Sequence, residues 1–187
     1  MKIRTKSKID GAVERGGKAG DKLKLTAHWK WEHFRKGKLL DQWEYDNVCS
    51  NEGLDHLLDV GFHGETPISP WYVLIFESDT TPDGSTTYAV PVYTESTAYD
   101  ELTRPEYNEA AASSQSITNS ANKAVFTISG TKTIYGAALV GGGTDGNTKG
   151  DAAGGGTLFS AGKFAAAKNV VDDDVLNVTI EISLADS

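Results

Sequence analysis

The sequence predicts a mainly β protein: a β-sandwich or jelly-roll-like domain with one short helix and an extended N-terminal arm. Three observations predict it. Apolar and polar residues alternate over several short stretches, turn signals separate those stretches, and no rhythm of strands alternating with long helices is present. The 187 residues, 39% of them hydrophobic, supply enough apolar material for one core and too little for two. The expected division is a basic arm over residues 1–21 and a single β domain over 22–187, with a glycine-rich loop at 141–156.

Each element follows from its local pattern. Residues 1–21 are polar, lysine-rich and interrupted by Gly11, Gly16, Gly17 and Gly20, without hydrophobic periodicity, which predicts an arm that orders only on contact. From Lys22, strict alternation places Leu23, Leu25, Ala27, Trp29 and Trp31 on one face of a strand and Lys24, Thr26, His28, Lys30 and Glu32 on the other. Arg35–Lys38 reads as a turn, and Leu39–Tyr45 as the returning strand of a hairpin. Asn51 as N-cap, Leu54, Leu57 and Leu58 at helical spacing, and a stop at Gly61 predict a helix of about two turns that plugs an open end or edge of the sheet. The unbroken apolar run Trp71–Phe76 predicts a strand buried on both faces. A polar connection over 77–98 carries a turn at Pro82-Asp83-Gly84 and a short extended piece at Tyr88–Val90. Ser116–Thr118, Ala124–Ser129, Thr133–Val140, Thr157–Lys168 and Val175–Leu184 read as the remaining strands. The expected core comprises Leu25, Trp31, Leu54, Leu57, Val73, Ile75, Phe126, Ile134, Leu139, Phe164, Leu176, Val178 and Ile180. Gly141–Gly156, half glycine, predicts a mobile or wrapping loop.

The net charge of −8 hides a split. Residues 1–40 hold 12 Lys/Arg against 4 Asp/Glu, whereas residues 41–187 hold 6 against 22. A basic segment on an acidic body implies docking of Lys2, Arg4, Lys6, Lys8, Arg15 and Lys18 on a negative partner. The acidic body would be repelled by a phosphate backbone, so an acidic protein surface, including another copy of the chain, is the expected partner and direct nucleic-acid recognition is not. Trp29 and Trp31, where not wholly internal, would supply the apolar part of that contact. No run of 18 apolar residues is present and the positive start lacks a following apolar segment, so a cytoplasmic origin without membrane insertion is expected.

Catalytic and cofactor patterns are tested and not met. In the glycine loop Lys149 precedes Gly150 and Asp151 follows it, the reverse of a P-loop order, and no helix comes next. Asp145, Asn147 and Asp151 lack calcium-loop spacing, and Asp172–Asp174 reads as a solvated turn. Phe159-Ser160-Ala161-Gly162 lacks the first glycine of a nucleophile elbow. His28, His33, His56 and His63 form no metal-ligand spacing, and lone Cys49 reads as a small buried hydrophobe. No enzyme activity, metal or cofactor is expected.

The order of motifs carries a resemblance. It runs through Asn47-Val48-Cys49-Ser50-Asn51-Glu52-Gly53-Leu54, Trp71-Tyr72, Tyr99 with Glu101 and Thr103-Arg104, and Val125-Phe126. It continues through Ile134–Val140, a Gly/Thr-rich loop, Thr157-Leu158, Phe164, and Asp174 with Leu176 and Val178. Over most of the chain after about residue 20, this order resembles a group of small structural proteins of tailed bacteriophages. Many of these carry glycine where this chain has Asp173. The resemblance implies a non-enzymatic virion component that binds the major capsid protein or other virion proteins, as a homo-oligomer. The expected role is a capsid decoration (cement) protein at the capsid surface; the alternative is a tail- or fibre-associated adaptor or host-attachment protein.

Overall fold

The computed structural model describes residues 23–150 and 154–186. Nine strands, β1 (Leu23–Arg35), β2 (Lys38–Cys49), β3 (Trp71–Phe76), β4 (Glu106–Tyr107), β5 (Ser116–Thr118), β6 (Ala124–Thr127), β7 (Lys132–Gly141), β8 (Thr157–Val170) and β9 (Val175–Asp186), form one antiparallel sheet among the described residues. The sheet curls into a half-barrel in the order β4-β3-β7-β8-β2-β1-β9-β5, with β6 also on β9. The mainly β class and the single short helix therefore stand. The extended piece expected at Tyr88–Val90 is a series of bends instead, because Tyr88 and its neighbours are held by side chains rather than by a strand ladder. The arm expected over residues 1–21 lies outside the described residues.

The hairpin of β1 and β2 builds the inner wall. Its period-two pattern buries Ala27, Trp29 and Trp31 and turns Lys24 and Lys30 outward. Trp31 stacks on Trp43 at 5.7 Å between ring centres, while Phe164 of β8 meets Trp31, Trp43 and Tyr45 edge-on at 5.2–5.3 Å. The β1–β2 and β8 walls of the curl thus close on one aromatic layer. A register shift between His33 and Phe34, three residues before the hairpin turn, is where the pairing with β2 slips by one.

The continuous apolar run of β3 has the expected cause. Val73 and Ile75 join the inner core with Ala137 and Leu139, whereas Leu74 and Phe76 join a second cluster with Ala138, Val140 and Leu158 on the opposite face. Tyr88 and Tyr93, from the long connection after β3, cover that second face, and Tyr93 stacks on Phe76 at 4.8 Å. On β9, Asn119 fills the ladder between β5 and β6: its side chain accepts from Ile180 N–H at 2.7 Å and donates to the Val178 carbonyl at 3.2 Å. A buried amide here takes the place of a strand residue.

Candidate docking surface

Helix α1 (Asn51–Leu58) and the π-helical turn Asp59–His63 that continues it form one helical segment against β8. Ser50, not Asn51, is the N-cap: its hydroxyl accepts from Gly53 N–H at 3.0 Å and donates to the Leu158 carbonyl. Glu52 then accepts from the backbone N–H of Leu158 at 2.7 Å and of Tyr88 at 2.9 Å. These polar ties fix the helix's rotation about its axis. They press Gly53 onto β8, where an added Cβ would lie 2.7 Å from both Cα and O of Phe159. His56, one turn on, meets Trp71 edge-on at 5.8 Å.

The face toward the body is therefore Gly53, His56 and Val60, with Leu54 and Leu57 at its margin and Leu58 pointing away. Leu54 and Leu57, expected in the core, are 37% and 41% exposed, and Leu58 and Phe62 reach 57% and 89%. The physical reason is that the backbone of β8 approaches too closely for any side chain at the contact. Asp55, Leu58, Asp59 and Phe62 share one outward stripe by their spacing, all exposed. Beside the helix, Glu52, Asp55, Asp59 and Glu65 line a groove of about 580 Å³. No Lys or Arg is among the residues lining that groove. An apolar stripe set among carboxylates suits a partner that is both cationic and apolar.

Gly53→Ala tests this packing. Alanine favours the helix by about 1 kcal/mol, but overlap with the Phe159 backbone costs about 1–3 kcal/mol and frees the Ser50 cap as well. A net loss of about 2 kcal/mol in urea denaturation is expected; a more stable variant would contradict the contact.

Two buried polar hubs hold the body rigid around this surface. Arg104, 2% exposed, donates to both oxygens of Glu95 at 2.9 and 2.6 Å, to Tyr88 Oη at 2.9 Å and to the Gly146 carbonyl at 2.9 Å. Burial alone would lower its pKa, but the Glu95 hydrogen bonds and charge outweigh that and raise it. The Gly150 amide donates to Glu95, and Lys149 donates to the Tyr99 carbonyl while lying 4.3 Å above the Tyr99 ring. The glycine-rich segment through Gly150 thus wraps the body and is pinned to it; residues 151–153 lie outside the described residues.

The second hub is Asp174, expected in a solvated turn but fully buried. It accepts from Arg35 Nε and Nη2, both at 2.7 Å, and from Val171 N–H at 2.9 Å, and its Oδ2 lies 2.8 Å from His33 Nε2. Burial would raise its pKa, yet the Arg35, Val171 and His33 hydrogen bonds dominate and hold it well below the usual carboxylate range. Asp173 beside it has φ +64, the left-handed conformation that glycine adopts without strain.

Among the other sequence candidates, Trp29 and Trp31 are 0% and 1% exposed, so neither offers surface to a partner. The contact role, expected only where they were not wholly internal, falls away, because their alternation with Ala27 places them inside the curl. Lys2, Arg4, Lys6, Lys8, Arg15 and Lys18 lie outside the described residues. Burial pushes the Cys49 thiol up to about 11, so it stays protonated at neutral pH. Among the described residues no group of three or more His, Cys, Asp or Glu is placed to hold a metal ion, and no helix is long and apolar enough to cross a membrane. The α1 stripe was missed by the sequence reading because a stop was expected at Gly61, whereas the helical turn continues through it to His63 and carries Phe62 onto the outward face. A search of known family models finds none that matches the chain, and a search of curated proteins finds no match.

Proposed function

We propose that the protein is a non-enzymatic structural component of a tailed-bacteriophage virion, a capsid decoration protein that docks on the head shell and stabilises it. In this reading the curled sheet acts as a sandwich-like rigid knob at the capsid surface. The basic segment 1–21 reaches across to the major capsid protein or another virion protein. Copies of the chain associate, so that individually weak contacts gain from repetition over a lattice. The observation that carries the reading is the division of labour between two surfaces, a cationic segment and an acidic body with an outward apolar helix stripe. The cross-tied hubs at Arg104 and Asp174 support it, because a clamp transmits load only through a body that does not yield.

Exposed ion pairs return about 0–1 kcal/mol each, so the arm's lysines alone cannot offset the cost of ordering it. Backbone hydrogen bonds to a groove or sheet edge of the partner supply the remainder. Deleting residues 1–20 is expected to leave the circular dichroism spectrum unchanged, since β1 starts at Leu23. Binding to particles lacking the protein should weaken on the order of 100-fold, the equivalent of about 2.8 kcal/mol. Equal binding by the truncated chain at moderate salt would reject the mechanism. Copy number per virion separates the two sites of action: hundreds of copies mean the head, and a handful to a few dozen mean a tail- or fibre-associated adaptor.

A further inference from the structure

The outward stripe Asp55, Leu58, Asp59 and Phe62 has no covering element among the described residues, although Phe62 is 89% exposed. We propose that in the unattached protein this stripe is covered by the chain's own N-terminal segment, residues 1–21, so that the segment has an intramolecular berth as well as an external partner. The inference goes beyond the virion reading and stands or falls separately from it.

Three observations select this occupant. The first is position. Register pairs Ala27 with Asn47, so the start of β1 at Leu23 and the start of α1 at Asn51 lie at the same open end of the hairpin, opposite its turn. A segment of 21 residues leaving that end spans at most about 70 Å, so reach does not limit it. The second is charge. The helix and its groove present Asp55, Asp59 and Glu65 beside the tied Glu52, and no Lys or Arg is among the groove's lining residues. The third is sequence pattern. Lys2, Arg4, Lys6 and Lys8 occupy every second position, with Ile3, Thr5, Ser7 and Ile9 between them. Side chains of an extended segment alternate between two faces, so all four cations share one; laid on the stripe, that face sets their charged ends against Asp55 and Asp59 and their aliphatic stems against Leu58 and Phe62. Tethering converts the contact into an intramolecular one at an effective concentration of order millimolar, which favours the chain's own segment over that of another copy.

The test uses the full chain with Phe62→p-benzoylphenylalanine, a photo-cross-linker at a side chain whose exposure spares the fold. Irradiation at low salt should yield a product of monomer mass, its yield independent of protein concentration, joining residue 62 to a peptide from residues 1–22. Reversing the four cations together (Lys2→Glu, Arg4→Glu, Lys6→Glu, Lys8→Glu), or raising salt to about 1 M where the screening length is about 3 Å, should cut that yield about fivefold or more. A dimer product rising with concentration would assign the stripe to a second copy and overturn the proposal. Monomer products joining residue 62 only to residues 23–187, or a yield unmoved by the reversed charges, would overturn it equally. None of these outcomes depends on a particle being present.

Discussion

Arg104→Met is expected to destabilise the protein by about 3–5 kcal/mol, the cost of stranding one member of a buried ion pair. The guanidinium is 2% exposed and the Glu95 side chain 8%, so removing one partner strands a carboxylate that is nearly out of solvent. The Gly146 carbonyl and the Tyr88 hydroxyl lose their donor in the same step. The glycine-rich segment loses the side-chain half of its tie to residue 104, while the residue-104 amide still donates to the Asn147 carbonyl. Tryptophan fluorescence against urea measures the effect, since Trp29 and Trp31 report on the core. Glu95→Gln in the Arg104→Met background should recover part of the loss by removing the stranded charge. A single variant within about 1 kcal/mol of the parent, or no recovery in the double variant, would mean that the pair is not a structural hub.

Asp174→Asn should cost about 3 kcal/mol at neutral pH, as charge-assisted hydrogen bonds from Arg35 and His33 become ordinary or are lost. Its pH dependence is the sharper signature. The carboxylate is held below its unfolded value, so the folded state binds fewer protons there than the unfolded state as pH falls. The stabilisation is complete above the ordinary carboxylate pKa near 4 and is lost as pH falls through the lowered value of the folded protein. The gap in urea stability between parent and variant should therefore narrow as pH falls below about pH 4. A gap that holds its full size down to pH 2 would show that Asp174 is not carrying charge.

The strands were legible because their information is local. Period two alone placed Trp29, Trp31, Leu176, Val178 and Ile180 inside, and the unbroken run of β3 announced burial on both faces. The helix face was not legible from leucine spacing. What orients α1 is a set of ties from Ser50 and Glu52 to Leu158 and Tyr88, residues more than 30 positions away in sequence. The hubs were hidden for a similar reason. Extending the β1 alternation by one step puts His33 inward beside Trp31, but its partner Asp174 stands 141 residues later in a run of three aspartates that reads as solvent-exposed. Arg104 had a faint signal of its own, being the first Lys or Arg after Lys38, at the end of a stretch rich in acids.

The pairing of β1 with β9 sets a condition on biosynthesis. Strand β1 aligns with β9 along its whole length, from Leu23 opposite Asp186 to Phe34 opposite Val175, so roughly 140 residues separate the hairpin end of β1 from the start of its partner. A ribosome adding about 5–20 residues per second delivers that partner on the order of ten seconds after β1 emerges. During that interval the hairpin presents Trp29, Trp31 and Trp43 on one face and an unpaired ladder along one edge, the combination that recruits other nascent chains or a chaperone. Slow codons or low temperature prolong the interval, and overproduction crowds it with copies at the same stage. Yield of soluble protein should therefore follow the rate at which chains are made more closely than the stability of the finished fold.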